Sequence, residues 1–132
     1  MVENMREGEV EEVIRDAYRA LVRGDVDRML SFCTDDVTLD WGPFTFEGEE
    51  EVRQWEEELR RMFPEIGILE TRLEVHGSTA VHEFIIEVTT PEGRRGILPV
   101  TGNYDVKDGK IQRISITLLR GALIVSEAEI KH

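Results

Sequence analysis

Residues 20–37, which read ALVRGDVDRMLSFCTDDV, place the end of one helix, a second helix and the start of a strand in one short segment. Gly24 is typical of the left-handed residue that ends a helix, and Asp25 is typical of the residue that caps the next one. Apolar residues then recur at the spacing of one buried helical face, at Val26, Met29, Leu30 and Cys33. The segment therefore predicts a helical hairpin that leads directly into a strand.

The residues before Gly24 form the first predicted helix. Between Glu9 and Arg23, apolar side chains repeat at intervals of three and four, at Val10, Val13, Ile14, Ala17, Tyr18 and Leu21. A single apolar stripe of this kind predicts a helix that packs against a core along one face.

After the hairpin the period changes to two. Val37, Leu39 and Trp41 alternate with polar residues, which predicts a strand that ends at Gly42 and Pro43, with a short pairing segment at residues 44–46. Asp40 should then face away from Leu39 and Trp41. A bulge at residues 40–42 is the one arrangement that would turn its carboxylate inward.

A third helix is predicted from Gly48 to the residues before Pro64, because acidic residues open it and proline closes it. Its inner face consists of Val52, Trp55, Leu59, Met62 and Phe63. The pairs Glu56–Arg60 and Glu57–Arg61 have the spacing of ion pairs on a solvated helix face.

From Ile66 onward, alternation predicts four long strands at about residues 67–76, 80–90, 95–106 and 110–120, joined by glycine-containing turns. The fold class is therefore α+β, with three N-terminal helices packed on a curved antiparallel sheet that forms a cone. We expect a single domain over residues 1–132. The tail, residues 121–132, is expected to dock at a sheet edge or a subunit contact.

Composition excludes several classes of function. Sixteen basic residues against 28 acidic ones give a net charge of −12, which opposes binding to nucleic acid or to an acidic membrane surface. No apolar run approaches the ~18 residues of a membrane span. The single cysteine cannot form an internal disulfide and suits a reducing compartment, so we expect a cytoplasmic protein.

The helix ending in Gly24-Asp25, the pair Asp35-Asp36 before the first strand and the phrase Phe46-Glu47-Gly48 before the third helix together resemble the SnoaL-like branch of the nuclear transport factor 2-like superfamily. Residues 102–111 are similar to the penultimate hairpin of that family. The resemblance spans nearly the whole chain. It implies a deep, mainly apolar cavity between helices and sheet, often in a homodimer, and a fold shared by isomerases, cyclases, epoxide hydrolases and binding proteins.

The resemblance does not extend to the known catalytic sets. Ketosteroid isomerases of this fold use a tyrosine, an aspartate base and a protonated aspartic acid. When the resemblance is counted from Gly24, the corresponding positions of this chain are Ala17, Trp41 and a residue near Thr101. Related epoxide hydrolases use an Asp-Arg-Asp set. In this chain the strand at residues 82–90 contains no arginine that could complete such a set. Neither mechanism is therefore expected.

The remaining catalytic candidates are His82, Asp40 and Tyr18. His82 shares a strand face with Phe84, which points it at the cavity, and histidine is the usual general base near neutral pH; it could equally be a satisfied or semi-exposed histidine near a strand start. Asp40 qualifies only if its strand bulges, and Tyr18 only if its hydroxyl enters the cavity. The residues expected to line a ligand are Trp41, Phe44, Phe84, Ile86, Tyr104, Ile116 and Leu118.

Two hypotheses remain open. In the first, the cavity binds a small, mainly apolar molecule and catalyses proton transfer of the isomerase, cyclase or lyase type, with His82 or Asp40 as base and Tyr18 or Tyr104 as hydrogen-bond donor. In the second, the chain is a non-enzymatic ligand-binding or dimerisation module. No cluster has the spacing of a metal site and no cofactor motif occurs, so neither hypothesis invokes a metal or a cofactor. A homodimer is expected in both.

Overall fold

A computed structural model describes residues 7–118 and 123–125 and contains three helices in these ranges: α1 (Glu7–Val22), α2 (Val26–Ser31) and α3 (Gly48–Met62). Gly24 has φ +79° and Asp25 accepts a hydrogen bond from the backbone N–H of Arg28, so both predicted helix signals are confirmed. Helix α2 ends earlier than predicted. Cys33 belongs to the following strand, where its side chain is buried.

The strands are β1 (Cys33–Trp41), β2 (Phe44–Glu47), β3 (Glu65–His76), β4 (Thr79–Thr89), β5 (Arg95–Lys107), β6 (Lys110–Leu118) and β7 (Leu123–Val125). They form one curved sheet in the order β2-β1-β6-β5-β4-β3, and the three helices pack on it. The predicted α+β architecture is thus confirmed. One pair, β1 with β6, is parallel, whereas the others are antiparallel.

The last four long strands form the predicted meander. The turn between β5 and β6 contains Asp108 with φ +52° and Gly109 with φ +82°, the pair of left-handed residues that a tight two-residue hairpin requires. Strand β7 pairs with β5 at Arg95–Ile97, beyond the last β5 residue that pairs with β6. Part of the tail therefore docks on the sheet, and residues 121, 122 and 126–132 lie outside the described residues.

The core lies between the helices and the concave face of the sheet. Strand β4 buries alternate residues, at Ala80, His82, Phe84, Ile86 and Val88, while Glu83 and Glu87 between them are exposed. Helix α1 contributes Val10, Ile14 and Ala17 to the same core. The periodicities of the helix and of the strands thus converge on one apolar interior.

The polar face of α3 differs from the prediction at two places. Glu56 is buried and its carboxylate lies 3.0 Å from Nε of Arg60, whose Nη2 donates to the backbone carbonyls of Leu21 and, at 2.9 Å, of Val22. These carbonyls end α1, where a helix leaves acceptors without intrahelical donors. The pair is therefore a buried link between helices.

The second difference on α3 concerns Arg61, which pairs with Glu58 at 2.6 Å on the exposed surface rather than with Glu57. Met62, predicted on the inner face, is half exposed.

Candidate functional site

An apolar pocket lies between the helices and the concave face of the sheet. Helices α1, α2 and α3 and strands β1, β3, β4, β5 and β6 all contribute to its wall. The packed side chains leave a free volume of about 50 Å³. None of the described residues that line it is charged, and its polar groups come from tyrosine and tryptophan side chains. Such a pocket suits an apolar molecule with few oxygen atoms.

One row of register partners crosses the sheet at the pocket. Trp41 of β1 is opposite Ile116 of β6, which is opposite Gly102 of β5, which in turn is opposite His82 of β4. Gly102 matters because a Cβ atom there would lie 3.2 Å from the hydroxyl of Tyr104. The missing side chain lets the Tyr104 ring lie along its own strand toward His82.

His82 forms an aromatic cluster at one end of this row. Its side chain is fully buried, and Nδ1 lies 3.5 Å from the Tyr104 hydroxyl. Its ring centroid lies 5.0 Å from that of Tyr18 and 4.5 Å from that of Phe84. Tyr18, Phe84 and Tyr104 line the pocket and His82 does not, so these rings separate the imidazole from it. His82 is thus on the cavity side of the sheet, as predicted, but it does not line the pocket.

Tyr104 is a buried residue of the pocket wall that carries a hydroxyl group. Burial raises the pKa of its hydroxyl far above the usual range, and the neighbouring Tyr18 raises it further. A phenol in this state stays protonated at every physiological pH. It can therefore donate a hydrogen bond to an oxygen in the pocket, but it is not a proton acceptor of use near neutral pH.

Two tryptophans form another part of the wall. The rings of Trp41 and Trp55 have their centroids 5.7 Å apart and are tilted by 59°. Both residues line the pocket, and both also line an outer groove with Phe44 and Met62. They therefore stand between the two spaces.

The structure corrects two of the expected ligand contacts. Phe44 is 62% exposed and lies on the outer groove rather than in the pocket, because β2 is an edge strand beyond Trp41. Leu118 is 44% exposed at the end of β6, past the residues that line the pocket. The other expected residues line it, together with Tyr18: Trp41, Phe84, Ile86, Tyr104 and Ile116.

Asp40 is also placed differently from the catalytic expectation. The pairing of β1 with β2 is regular from Thr38 to Trp41, so no bulge turns the carboxylate inward. It instead accepts hydrogen bonds from Arg113 at 2.6 Å, Ser115 at 2.7 Å and Thr45 at 2.8 Å. These donors, Ser115 first, hold the pKa of Asp40 below its usual value. Asp40 thus belongs to a polar network on the outer face of the sheet.

Sequence reasoning missed several lining residues, namely Leu21, Met29, Leu39, Trp55, Leu59, Phe63, Ile66, Ile68, Val88, Leu98 and Ile114. Helical or strand periodicity had marked most of them as inward-facing. Periodicity shows which side of an element meets the interior, whereas the gap between packed elements depends on their relative placement.

The structure describes the ranges 7–118 and 123–125. These ranges hold no group of three His, Cys, Asp or Glu side chains arranged to bind a metal ion. No helix within them is long and apolar enough to cross a membrane.

Comparison with known proteins places these features in a family. The model of the SnoaL-like domain matches residues 14–114. No curated protein sequence matches the chain.

Solved structures share the fold. An NTF2-like protein of unknown function from Burkholderia pseudomallei K96243 has a TM-score of 0.79 at 18% identity, over 84% of this chain and 91% of that one. An epoxide hydrolase/cyclase-like enzyme with a role in pyran ring formation in the polyether salinomycin has a TM-score of 0.79 at 20% identity, over 91% and 97%. An LEH-like epoxide hydrolase from M. tuberculosis has a TM-score of 0.75 at 17% identity, over 86% and 84%. At such identities the likeness shows the fold alone.

Proposed function

The chain belongs to the SnoaL-like domain family, and from this membership we propose that it binds a small, largely apolar organic molecule in the pocket between its helices and its sheet. The observation that carries the proposal is an apolar pocket wall that includes Tyr18 and Tyr104, whose rings pack beside a buried histidine. Apolar walls supply affinity and a few placed polar groups supply orientation. Relatives of the same fold that act on epoxides or form rings are consistent with such a ligand.

The ligand must open the pocket to enter it. The free volume of about 50 Å³ is the space open to the centres of water-sized spheres. Each water molecule needs roughly 10–15 Å³ of such volume, so the pocket holds no more than a few of them. Tyr18 and Ile68 line both the pocket and a shallow outer depression with Arg19 and Arg23, and both are partly exposed. Entry between α1 and β3 would therefore displace the fewest buried side chains.

The reaction that this arrangement favours is proton transfer next to a carbonyl group, without a cofactor. The Tyr104 hydroxyl would donate a hydrogen bond to the carbonyl oxygen as negative charge develops there. His82 is the neighbouring group suited to exchange protons near neutral pH, and the Tyr18 hydroxyl, which can accept and donate at the same time, would connect it with the ligand. The proton that leaves one carbon of the ligand returns to another carbon while Tyr104 keeps its own proton, so the ligand is isomerised with no net gain or loss.

A binding protein without catalysis is the second candidate. The specific observation in its favour is that no carboxylate and no histidine is among the described residues lining the pocket. A base that reaches the ligand only through tyrosine hydroxyls is a weaker catalyst than one in direct contact.

The test uses indane and 1-indanone, two bicyclic probes that differ by one carbonyl group. Both tryptophans of the chain line the pocket, so intrinsic fluorescence reports occupancy. We expect saturable binding of both probes with Kd below about 1 mM, that is, at least roughly 4 kcal/mol. Ile86→Phe should weaken it several-fold by filling the pocket, whereas Ile85→Phe, on the opposite face of the same strand, should not. Equal behaviour of these two variants would place the probes elsewhere.

Catalysis is tested with the same ketone. In deuterated buffer, proton transfer exchanges the hydrogens next to the carbonyl of 1-indanone, and proton NMR follows their loss. We expect the protein to accelerate this exchange, and Tyr104→Phe and His82→Gln to remove the acceleration while probe binding persists. Binding without accelerated exchange would leave the non-enzymatic function.

We also propose that the chain is a cytoplasmic homodimer. The outer face of the sheet carries adjoining apolar side chains on β3, β4 and β5, at Leu69, Ile85, Ile97 and Pro99, and Leu69 and Ile97 are at least half exposed. Register places Leu69, Ile85 and Pro99 in one row, with Ile97 two residues along β5 from Pro99. Apolar patches of this kind mark interaction surfaces more often than free surface. We call Leu69, Ile85, Ile97 and Pro99 the outer apolar patch.

A further inference from the structure

The indole N–H of Trp55 is a buried donor that the fold does not use. Trp55 is 4% exposed, and its Nε1 forms no hydrogen bond within the described part of the chain. Buried N–H groups nearly always have a partner, because an unpaired donor loses its hydrogen bonds to water and gains nothing. A contact with the ring of Trp41 would recover only part of this loss, since hydrogen bonds to aromatic faces are weak.

The position of Trp55 suggests what the donor is for. The side chain lines the pocket and contacts Trp41, which begins the row of register partners that ends at His82. The strands of Trp41 and His82 are three spacings apart in the sheet, roughly 14 Å at ~4.8 Å per spacing. Trp55, beside Trp41, therefore lies at the opposite end of this row from His82 and the rings of Tyr18 and Tyr104 that pack on it.

We propose that Trp55 Nε1–H donates a hydrogen bond to an acceptor oxygen of the ligand, at the end of the pocket opposite the two tyrosines. The inference rests on the proposed function and specifies its ligand class: a small apolar molecule with a carbonyl, ether or hydroxyl oxygen at each of two ends. A hydrocarbon would leave the Trp55 N–H without an acceptor, so the pocket selects against it. Trp55 is thereby a specificity-determining residue.

The experiment isolates this donor with the double variant Tyr18→Phe/Tyr104→Phe, which removes the competing hydroxyls while keeping both rings. Two-dimensional ¹⁵N–¹H NMR shows one indole N–H signal for each of the two tryptophans, and the signal that Trp55→Phe removes is that of Trp55. Indane and 1-indanone are titrated separately. We expect 1-indanone to move the Trp55 indole proton downfield and to bind about five- to tenfold more tightly than indane, the contribution of one net hydrogen bond.

Substitution of each tryptophan completes the test. In the double-variant background, Trp55→Phe should reduce the preference for 1-indanone over indane to about one. Trp41→Phe is the same substitution at another tryptophan of the pocket wall. It should lower the affinity for both probes by the same factor, so that the preference for 1-indanone over indane is kept. Backbone NMR signals of each variant report whether the fold is intact, and fluorescence of the remaining tryptophan reports binding.

The possible failures are distinguishable. If the unmodified protein binds neither probe, the proposed pocket function is wrong and this inference falls with it. If both probes bind the double variant equally well, the pocket function stands and the role of Trp55 is refuted. The same holds if 1-indanone does not move the Trp55 indole proton signal downfield. The role of Trp55 would also be refuted if Trp41→Phe and Trp55→Phe lost the preference for 1-indanone equally. Such a result would show that the preference comes from the packing of the pocket wall.

Discussion

Asp40 and His82 differ in which face of the sheet their side chains lie on, and this determines whether each is near the pocket. Both lie in regular strands, and both were candidates because each is a titratable group beside aromatic residues. Alternation places the Asp40 carboxylate on the outer face, among Thr45, Arg113 and Ser115, and places the His82 imidazole inside. The same physical rule therefore removes one candidate from the pocket and leaves the other next to it.

The outer-face network makes the stability of the protein depend on Asp40 in a defined pH range. Its folded-state pKa lies below the unfolded value, chiefly because of the hydrogen bond from Ser115. The carboxylate therefore contributes stability above about pH 4, and this contribution is lost as the pH falls through the folded pKa. We expect Asp40→Asn to lower the free energy of unfolding by about 1 kcal/mol at pH 7. Urea unfolding at a series of pH values measures the difference.

The matched control is Asp35→Asn, which changes an exposed carboxylate on the same strand. Its effect should stay within about 0.5 kcal/mol at pH 7. A difference between Asp40→Asn and the unmodified protein that grows toward acid pH would contradict the assignment.

Single side chains of the site were predictable only in part. Alternation identified the inward direction of His82, Phe84, Ile86 and Tyr104, because that follows from parity along a strand. It did not show that Phe84 and Tyr104 would stand between His82 and the pocket. That arrangement depends on Gly102, where the absence of a Cβ lets the Tyr104 ring approach. From sequence alone, a glycine in a strand indicates a bulge or a bend equally well.

At the scale of elements, the polar link between α3 and the end of α1 joins two helices through a largely buried ion pair. Arg60→Ala removes the donors to the carbonyls of Leu21 and Val22 and leaves the buried Glu56 carboxylate without this cation. We expect the free energy of unfolding to fall by about 3 kcal/mol, as for other buried ion pairs that lose one member. Chemical denaturation at pH 7 measures it.

Arg61→Ala is the control on the same helix. Its pair with Glu58 is more than 60% exposed on both side chains, so its removal should cost less than about 0.5 kcal/mol. The double variant Glu56→Leu/Arg60→Leu should recover much of the loss seen in Arg60→Ala, because no buried charge then remains unpaired. An Arg60→Ala variant as stable as Arg61→Ala would show that solvent reaches the Glu56 carboxylate.

The elements themselves were largely readable from periodicity, capping and turn chemistry. The parallel pairing of β1 with β6 was not, because alternation identifies a strand's inner face without identifying its neighbour. The burial of Glu56 was missed for a related reason: i,i+4 spacing predicts an ion pair but does not show that another helix end covers it.

At the scale of the whole molecule, the outer apolar patch predicts self-association. Light scattering at micromolar concentration should give about twice the chain mass of 15.2 kDa. Ile97→Glu should shift the mass to that of one chain, since a charge in an apolar interface is costly to bury. Asn103→Glu, on the same face of the same strand but outside the patch, should leave the dimer intact. A monomer mass for the unmodified protein would refute the proposed homodimer.

Cys33, at the start of β1, adds a constraint on how any such assembly is held together. Its thiol is buried, and burial raises its pKa to about 12, so the reactive thiolate is almost absent at physiological pH. It is also the only cysteine of the chain. We therefore expect folded copies not to form a disulfide bridge through Cys33, so that the proposed dimer would be held by non-covalent contacts.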